Sequence, residues 1–207
     1  MILVCVAHDD DFVLGCGGSI YKYAKEGKNV VVLVFSSGEG SDPLLKKELI
    51  KDIRGKEAEK AGKFLGVREI VNLGIPDMRI NSKDKKQIET VQKLIKKYKP
   101  KKVFTHSASD PHKDHQAVYK TVKNVLNNKK IELYTFGVWN PINVIKTNLP
   151  RLIVDVSGTF RRKLKALKMF KSQKMVMFQL KPSIYLKAKI YGYVNKCKYA
   201  EVFYKEK

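Results

Sequence analysis

MILVCVAHDDDFVLGCGGSIYKYAK, residues 1–25, is the stretch on which the fold turns. Ile2 to Ala7 is a short apolar run rich in β-branched side chains, which reads as a buried strand. It ends abruptly in His8-Asp9-Asp10-Asp11, and Gly15-Cys16-Gly17-Gly18 then leads into a segment of helical character. The order is strand, turn, helix. Open α/β sheets place their ligands at the carboxyl ends of strands, where this polar cluster falls. Carboxylates crowded beside an imidazole repel one another unless a proton or cation is shared among them, and a divalent metal is the simplest resolution.

A second cluster lies about a hundred positions downstream. Lys102 to Thr105 reads as another short strand, and it runs into His106-Ser-Ala-Ser-Asp110-Pro-His112-Lys-Asp114-His115. The chain has four histidines, and all four follow one or the other of these strands. Their grouping points to one site built where two strand ends meet. Spacing alone does not separate metal ligands from Asp9, Asp10 or His112.

The same residues carry a family resemblance. AHDDDFVLGCGG, residues 7–18, resembles the AHPDD(E)xxxxGG motif of the PIG-L/LmbE-like de-N-acetylases, and SDPHKDHQAV, residues 109–118, resembles their xDxHPDHxAV motif. Further matches occur in the family's order. They are Arg54 with Glu57-Ala58, Ala61 and Leu65-Gly66-Val67; Leu73 to Asp77; Lys163 to Leu167 with Ser172-Gln173; and Ala200-Glu201-Val-Phe203. The resemblance therefore runs from residue 1 to about residue 205. It implies a three-layer, Rossmann-like (LmbE-like) α/β fold with a mostly parallel sheet, a single domain over 1–207, and removal of acetyl from N-acetylated amino sugars. It also implies zinc held by His8, Asp11 and His115, although iron or another divalent metal suits the same nitrogen and oxygen ligands. Asp10 becomes the general base, and His112, as an imidazolium, the stabiliser of the oxyanion. Asp110 and Asp114 become orienting groups for His112 or His115. Arg54 and Asp77 become substrate contacts. Three positions depart from the pattern: Asp9 and Lys113 stand where proline is usual, and Phe12 where glutamate is common. Asp9 is expected to add negative charge near the metal.

Composition sets limits around this reading. Hydrophobic residues make up 43% of the 207 positions, too many for a disordered chain. No run approaches the roughly eighteen apolar residues of a membrane span. No basic segment precedes the first apolar run, so no signal peptide is expected, and the three cysteines without C-x-x-C spacing suggest reduced thiols in the cytoplasm. Cys16 is a minority candidate for a thiolate ligand. The net charge of +22 reads first as a lysine-rich surface and second as attraction for an anionic substrate. Expected partners are an amino-sugar substrate, anionic or lipid-linked in one reading, and copies of the same chain. Nucleic acid is not expected, because no basic aromatic motif is present. A dinucleotide-binding reading of GCGG fails because Ile20 stands where a third glycine is needed. The alternative function is an anionic-surface or nucleic-acid binder with a non-catalytic metal site.

Periodicity supplies the remaining elements. Asn29 to Phe35 reads as a strand covered on both faces. Asp42 and Pro43 open a helix through Leu44, Leu45, Leu49 and Ile53 that closes at Gly66. Strands are expected at 69–73, 131–139 and 152–156, and helices at 84–98, 114–126 and 159–173. In the last of these, Arg161, Arg162, Lys163 and their neighbours read as a cationic solvent face. Met175 to Tyr193 is apolar with lysine and tyrosine interleaved, a pattern suited to an anionic or lipidic surface.

Overall fold

The computed structural model describes residues 1–40, 46–139 and 149–206. Its first strand, β1 (Ile2–Val6), is buried on both faces because side chains alternate across it. Ile2, Val4 and Val6 enter one apolar layer, and Leu3, Cys5 and Ala7 the other. β2 (Val30–Val34) repeats the pattern and pairs with β1 in parallel, Val4 opposite Val32. β3 (Glu69–Asn72), β4 (Lys102–His106) and β5 (Glu132–Phe136) extend a parallel sheet. The full order is β3-β2-β1-β4-β5-β7-β6, where β6 is Arg151–Asp155 and β7 is Ala200–Lys205. The chain leaves β1 to one side for β2 and later returns to its other side for β4. The carboxyl ends of β1 and β4 thus flank the point where strand order reverses, the ligand crevice of such sheets.

Helices cover both faces. α1 (Asp11–Lys25), α2 (Lys47–Leu65), α5 (Phe160–Leu167) and α6 (Lys174–Val194) share one apolar layer with the Ile2 face of β1. α3 (Lys85–Tyr98) and α4 (Lys113–Leu126) cover the other, through Val91, Ile95, Val118 and Val122. Asp84 caps α3 by accepting the Gln87 N–H, and Gly66 ends α2 at φ 74°. The Asp42 cap, Pro43, Leu44 and Leu45 lie outside the described residues, and the described part of α2 starts at Lys47.

Four expectations change. GCGG is not a turn: the helix begins at Asp11 and runs through the glycines, with one non-helical residue, Cys16 (φ −142°, ψ 21°). Gly15 is needed for close approach, since a Cβ there would lie 2.2 Å from the Phe136 ring. The single helix expected at 159–173 breaks at Leu167, because Phe170 leaves helical geometry (φ −81°, ψ 73°) to bury its ring beside Phe12. Lys163 does not face solvent. It is 3% exposed and donates to Glu201 at 2.7 Å. Finally, β7 is a strand that local pattern did not reveal. It runs antiparallel between β5 and β6 and brings Glu201 against α1.

Candidate metal and catalytic site

Two loops and two helix starts build the site. The chain turns after β1 so that the His8 backbone N–H donates to Asp11 Oδ2 at 2.8 Å, and α1 starts at once. After β4 the second loop ends at His112, whose Nδ1 accepts the Asp114 N–H at 3.2 Å and caps α4. α4 then carries His115 back beneath His8.

Three ligand atoms, one each from His8, Asp11 and His115, lie within 4.8 Å of one another. Asp11 Oδ2 is 3.5 Å from His8 Nδ1 and 3.3 Å from His115 Nε2. His8 with His112 and Asp114, and His106 with Asp110 and His115, form two further groupings of the same kind. Among the described residues His115 Nε2 is buried with no hydrogen-bond partner. An orphaned buried nitrogen facing a carboxylate oxygen, in a set of two imidazoles and one carboxylate, fits a divalent cation. Cys16 does not join this set. Its Sγ donates to the Phe12 carbonyl at 3.3 Å, and burial pushes its thiol well above the ordinary range.

Charges within the cluster are strongly coupled. Burial opposes charge on His8, yet the Asp11, Asp114 and Asp77 carboxylates together hold its pKa well above the usual value. Burial likewise works against His115, and Asp11 and Asp110 raise it to about 9. Burial works against the Asp11 carboxylate too, but His115 and His106 bring it well below the ordinary range. A bound dication would replace the imidazolium protons as the countercharge. His106 is buried behind this set. Its ring stacks on His115 at 3.8 Å, its Nε2 accepts the Ala7 N–H at 3.0 Å, and burial followed by His115 lowers its pKa to about 4. It is therefore neutral at pH 7, and its 3.3 Å approach to Asp11 is not an ion pair.

Asp10 occupies the N-cap position of α1 but makes no capping bond with its side chain. The carboxylate instead reaches toward Arg54, 3.5 Å away. Burial raises its pKa and Arg54 opposes the rise. Asp9 is 1% exposed with Oδ2 unpartnered among the described residues, and burial raises its pKa to about 7. Burial thus opposes the negative charge that the sequence leads one to expect from Asp9. Phe12 is fully buried in the core.

Asp110 sits behind His115, its Oδ1 3.0 Å from Nδ1, and its Oδ2 accepts the Val138 N–H at 2.9 Å. The His115 contact misses hydrogen-bond alignment and is an ion-pair approach. Asp114 turns elsewhere. Its Oδ2 lies 3.4 Å from His8 Nε2 and accepts the Met78 N–H at 3.1 Å, so it faces His8 rather than His112 or His115. Asp77 Oδ1 is 3.3 Å from the same nitrogen, and that contact, more than anything else, lowers its pKa. His112 is half-buried and stacks on His115 at 4.6 Å. Burial, then His115 and His8, depress its pKa. These groups surround a cleft of about 180 Å³ lined by His8, Asp10, Arg54, Asp77, His112 and Trp139. Trp139 and Val176 were not picked out from sequence, and Gln173 entered there only as part of a family match. Only the clustering of histidines hinted at His106.

Residues 3–126 match the family described as PIG-L: GlcNAc-PI de-N-acetylase. The chain belongs to this family. Over 124 residues it is 32% identical to an uncharacterized deacetylase of Escherichia coli K12, a match spanning 57% of this chain and 63% of that protein. The fold is that of the N,N'-diacetylchitobiose deacetylase of Pyrococcus horikoshii, with a TM-score of 0.85 at 23% identity over 99% of this chain and 83% of that one. A 4-carboxy-2-hydroxymuconate hydratase from Pseudomonas putida KT2440 shares it equally, with a TM-score of 0.85 at 22% identity over 100% of this chain and 95% of that one. The fold thus serves more than one reaction, and the site residues have to carry the functional argument.

Proposed function

We propose that the chain is a zinc-dependent de-N-acetylase that hydrolyses the acetamido group of an N-acetylglucosamine-type sugar, giving acetate and a free amine. The observation that carries this reading is the convergence of His8, Asp11 and His115 ligand atoms within 4.8 Å beside an Asp10 carboxylate that caps no helix. Zinc held by those three residues would supply a Lewis acid for the amide carbonyl and bring the pKa of a bound water to roughly 7.

The chain's own groups do the remaining work. Asp10 takes a proton from the attacking water and delivers it to the departing amine nitrogen. Its raised pKa suits a group that must both accept and return a proton. The Arg54 guanidinium, 3.5 Å away, positions its carboxylate. His112 Nδ1 is occupied by the Asp114 N–H, which leaves Nε2 as the ring's donor for the negative oxygen of the tetrahedral intermediate. That donor serves whether or not the ring is charged. Asp110 and Asp114 hold His115 and His8. Asp77 and Arg54, on the wall of the cleft, contact sugar hydroxyls. The charge of +22 favours a substrate with an anionic aglycone. Three free thiols support action in the cytoplasm.

The test is acetate release from a panel of neutral and anionic N-acetylglucosaminyl compounds, before and after chelation and with zinc restored. Zinc-dependent acetate release is expected. A zinc-replete chain that adds water to an unsaturated dicarboxylate while releasing no acetate from any panel member would overturn the proposal in favour of hydratase chemistry.

A further inference from the structure

α6 carries large apolar side chains on both sides. Its inner face, through Met177, Leu180 and Ala188, belongs to the core. A surface helix ordinarily turns polar side chains outward. Here the outward face carries Met175 (72% exposed), Phe178 (77%), Leu186 (49%), Ile190 (48%) and Tyr193 (86%), at spacings of three, eight, four and three that keep them on one side of the helix. An exposed apolar face of this extent marks a docking surface.

Charge identifies the partner. From Ser157 to Ala200 the sequence has twelve lysines and arginines and no aspartate or glutamate. Among the described residues only Lys163 of these has a carboxylate partner. At the start of α6 a groove of about 470 Å³ combines the two properties, with Leu167, Met175 and Phe178 beside Lys168, Lys171 and Lys181. A second copy docking face to face would bring two cationic patches together, which like-charge repulsion opposes. A nucleic acid would satisfy the lysines but leave Phe178, Leu186 and Ile190 facing water. An anionic lipid bilayer satisfies both, offering phosphates to the lysines and an acyl boundary to the apolar side chains.

We infer that α6 is a peripheral membrane-docking helix, lying in the surface of an anionic bilayer with its Met175–Phe178–Leu186–Ile190 face inserted. It does not cross the bilayer, since no helix among the described residues is long and apolar enough. Val176 and Gln173 line the catalytic cleft, so the inserted face begins within one turn of the cleft wall. Docking would hold the cleft against the headgroup layer, where a lipid-linked or membrane-adsorbed substrate is concentrated.

The test is co-sedimentation of the full chain with vesicles of phosphatidylcholine alone or mixed with phosphatidylglycerol, across a salt series. These lipids carry no amino sugar, so the result is independent of the proposed reaction. At least tenfold tighter binding to the anionic vesicles is expected, weakening with salt. A Phe178→Ser/Leu186→Ser variant should lose at least tenfold of that binding while keeping the circular dichroism spectrum and acetate release of the parent. Absence of binding to anionic vesicles overturns the inference. Undiminished binding by the variant also overturns it, because charge alone would then suffice. Two further results would do the same: self-association abolished by the two substitutions without any vesicle binding, or duplex DNA bound more tightly than anionic vesicles and unaffected by the substitutions.

Discussion

Glu201→Ala is the perturbation with the widest consequences. Glu201 comes from β7, near the end of the chain, and is 6% exposed. Its Oε1 accepts from Lys163 Nζ at 2.7 Å and the Gly18 N–H at 3.1 Å. Its Oε2 accepts the Ser19 N–H at 2.8 Å and the Ser19 hydroxyl at 2.6 Å. The departure of Cys16 from helical geometry interrupts the α1 ladder just upstream, and Glu201 supplies the acceptors that this turn lacks. Truncation strands the Lys163 ammonium, 3% exposed, at a cost of about 3–5 kcal/mol. Two backbone N–H groups also lose their acceptor, at about 1–3 kcal/mol each if dry, and water entering the space left behind takes the lower end of that range. Because these terms share one carboxylate they do not add, and a loss of about 5 kcal/mol is expected. For a chain of this size each kcal/mol lowers Tm by about 2–4 °C, so Tm should fall by about 10–20 °C. Urea unfolding at pH 7, with an unchanged slope as the check on two-state behaviour, measures it. A double-mutant cycle isolates the ion pair: Glu201→Gln with Lys163→Met should cost at least about 2 kcal/mol less than the two singles summed. A loss below about 1 kcal/mol for Glu201→Ala, or full additivity in the cycle, would refute the reasoning.

Asp10→Asn should retain stoichiometric zinc yet lower turnover by about 10²–10⁴-fold, because an amide cannot accept the proton; metal analysis beside acetate-release kinetics tests both halves. His115→Ala removes the nitrogen now orphaned beside Asp11, and isothermal titration should show stoichiometric high-affinity zinc binding lost; retention at parental affinity would mean a different ligand set. Lys187 lines a small cavity of about 60 Å³, and burial, then Lys163, lowers its pKa from 10.5 to about 8. Between these two values the unfolded chain holds a proton that the folded chain has released, so this residue's contribution to stability rises with pH across that window. Lys187→Met should therefore be more stable than the parent below pH 8, with the gap narrowing toward pH 10.5; melting curves giving a pH-independent gap would contradict this.

Much of this molecule is written in local pattern. β1 and β2 are legible because strands covered on both faces admit only apolar side chains, and α3 and α4 because a one-sided burial face recurs every three to four residues. The two His/Asp clusters are legible because all four histidines follow two strand ends, although only the family resemblance separates candidate ligands from their neighbours. Beyond that reach lie contacts between distant segments. AEVFYK is short and mixed in polarity, and becomes a strand only when inserted between β5 and β6. Lys163 looks like one more surface lysine until Glu201 arrives from 38 residues away. GCGG reads as a turn because glycine disfavours helix in isolation, and its glycines serve close packing inside a helix here, Phe136 standing where a Gly15 Cβ would be and Val156 crowding that of Gly18. The sequence by itself determined which residue types gather at the carboxyl ends of β1 and β4. Only the tertiary structure decided that Asp114 faces His8, that Asp9 is buried enough for its pKa to reach about 7, and that one side of α6 is left uncovered. Burial and partner choice are set by segments far apart in the chain, and no local pattern encodes them.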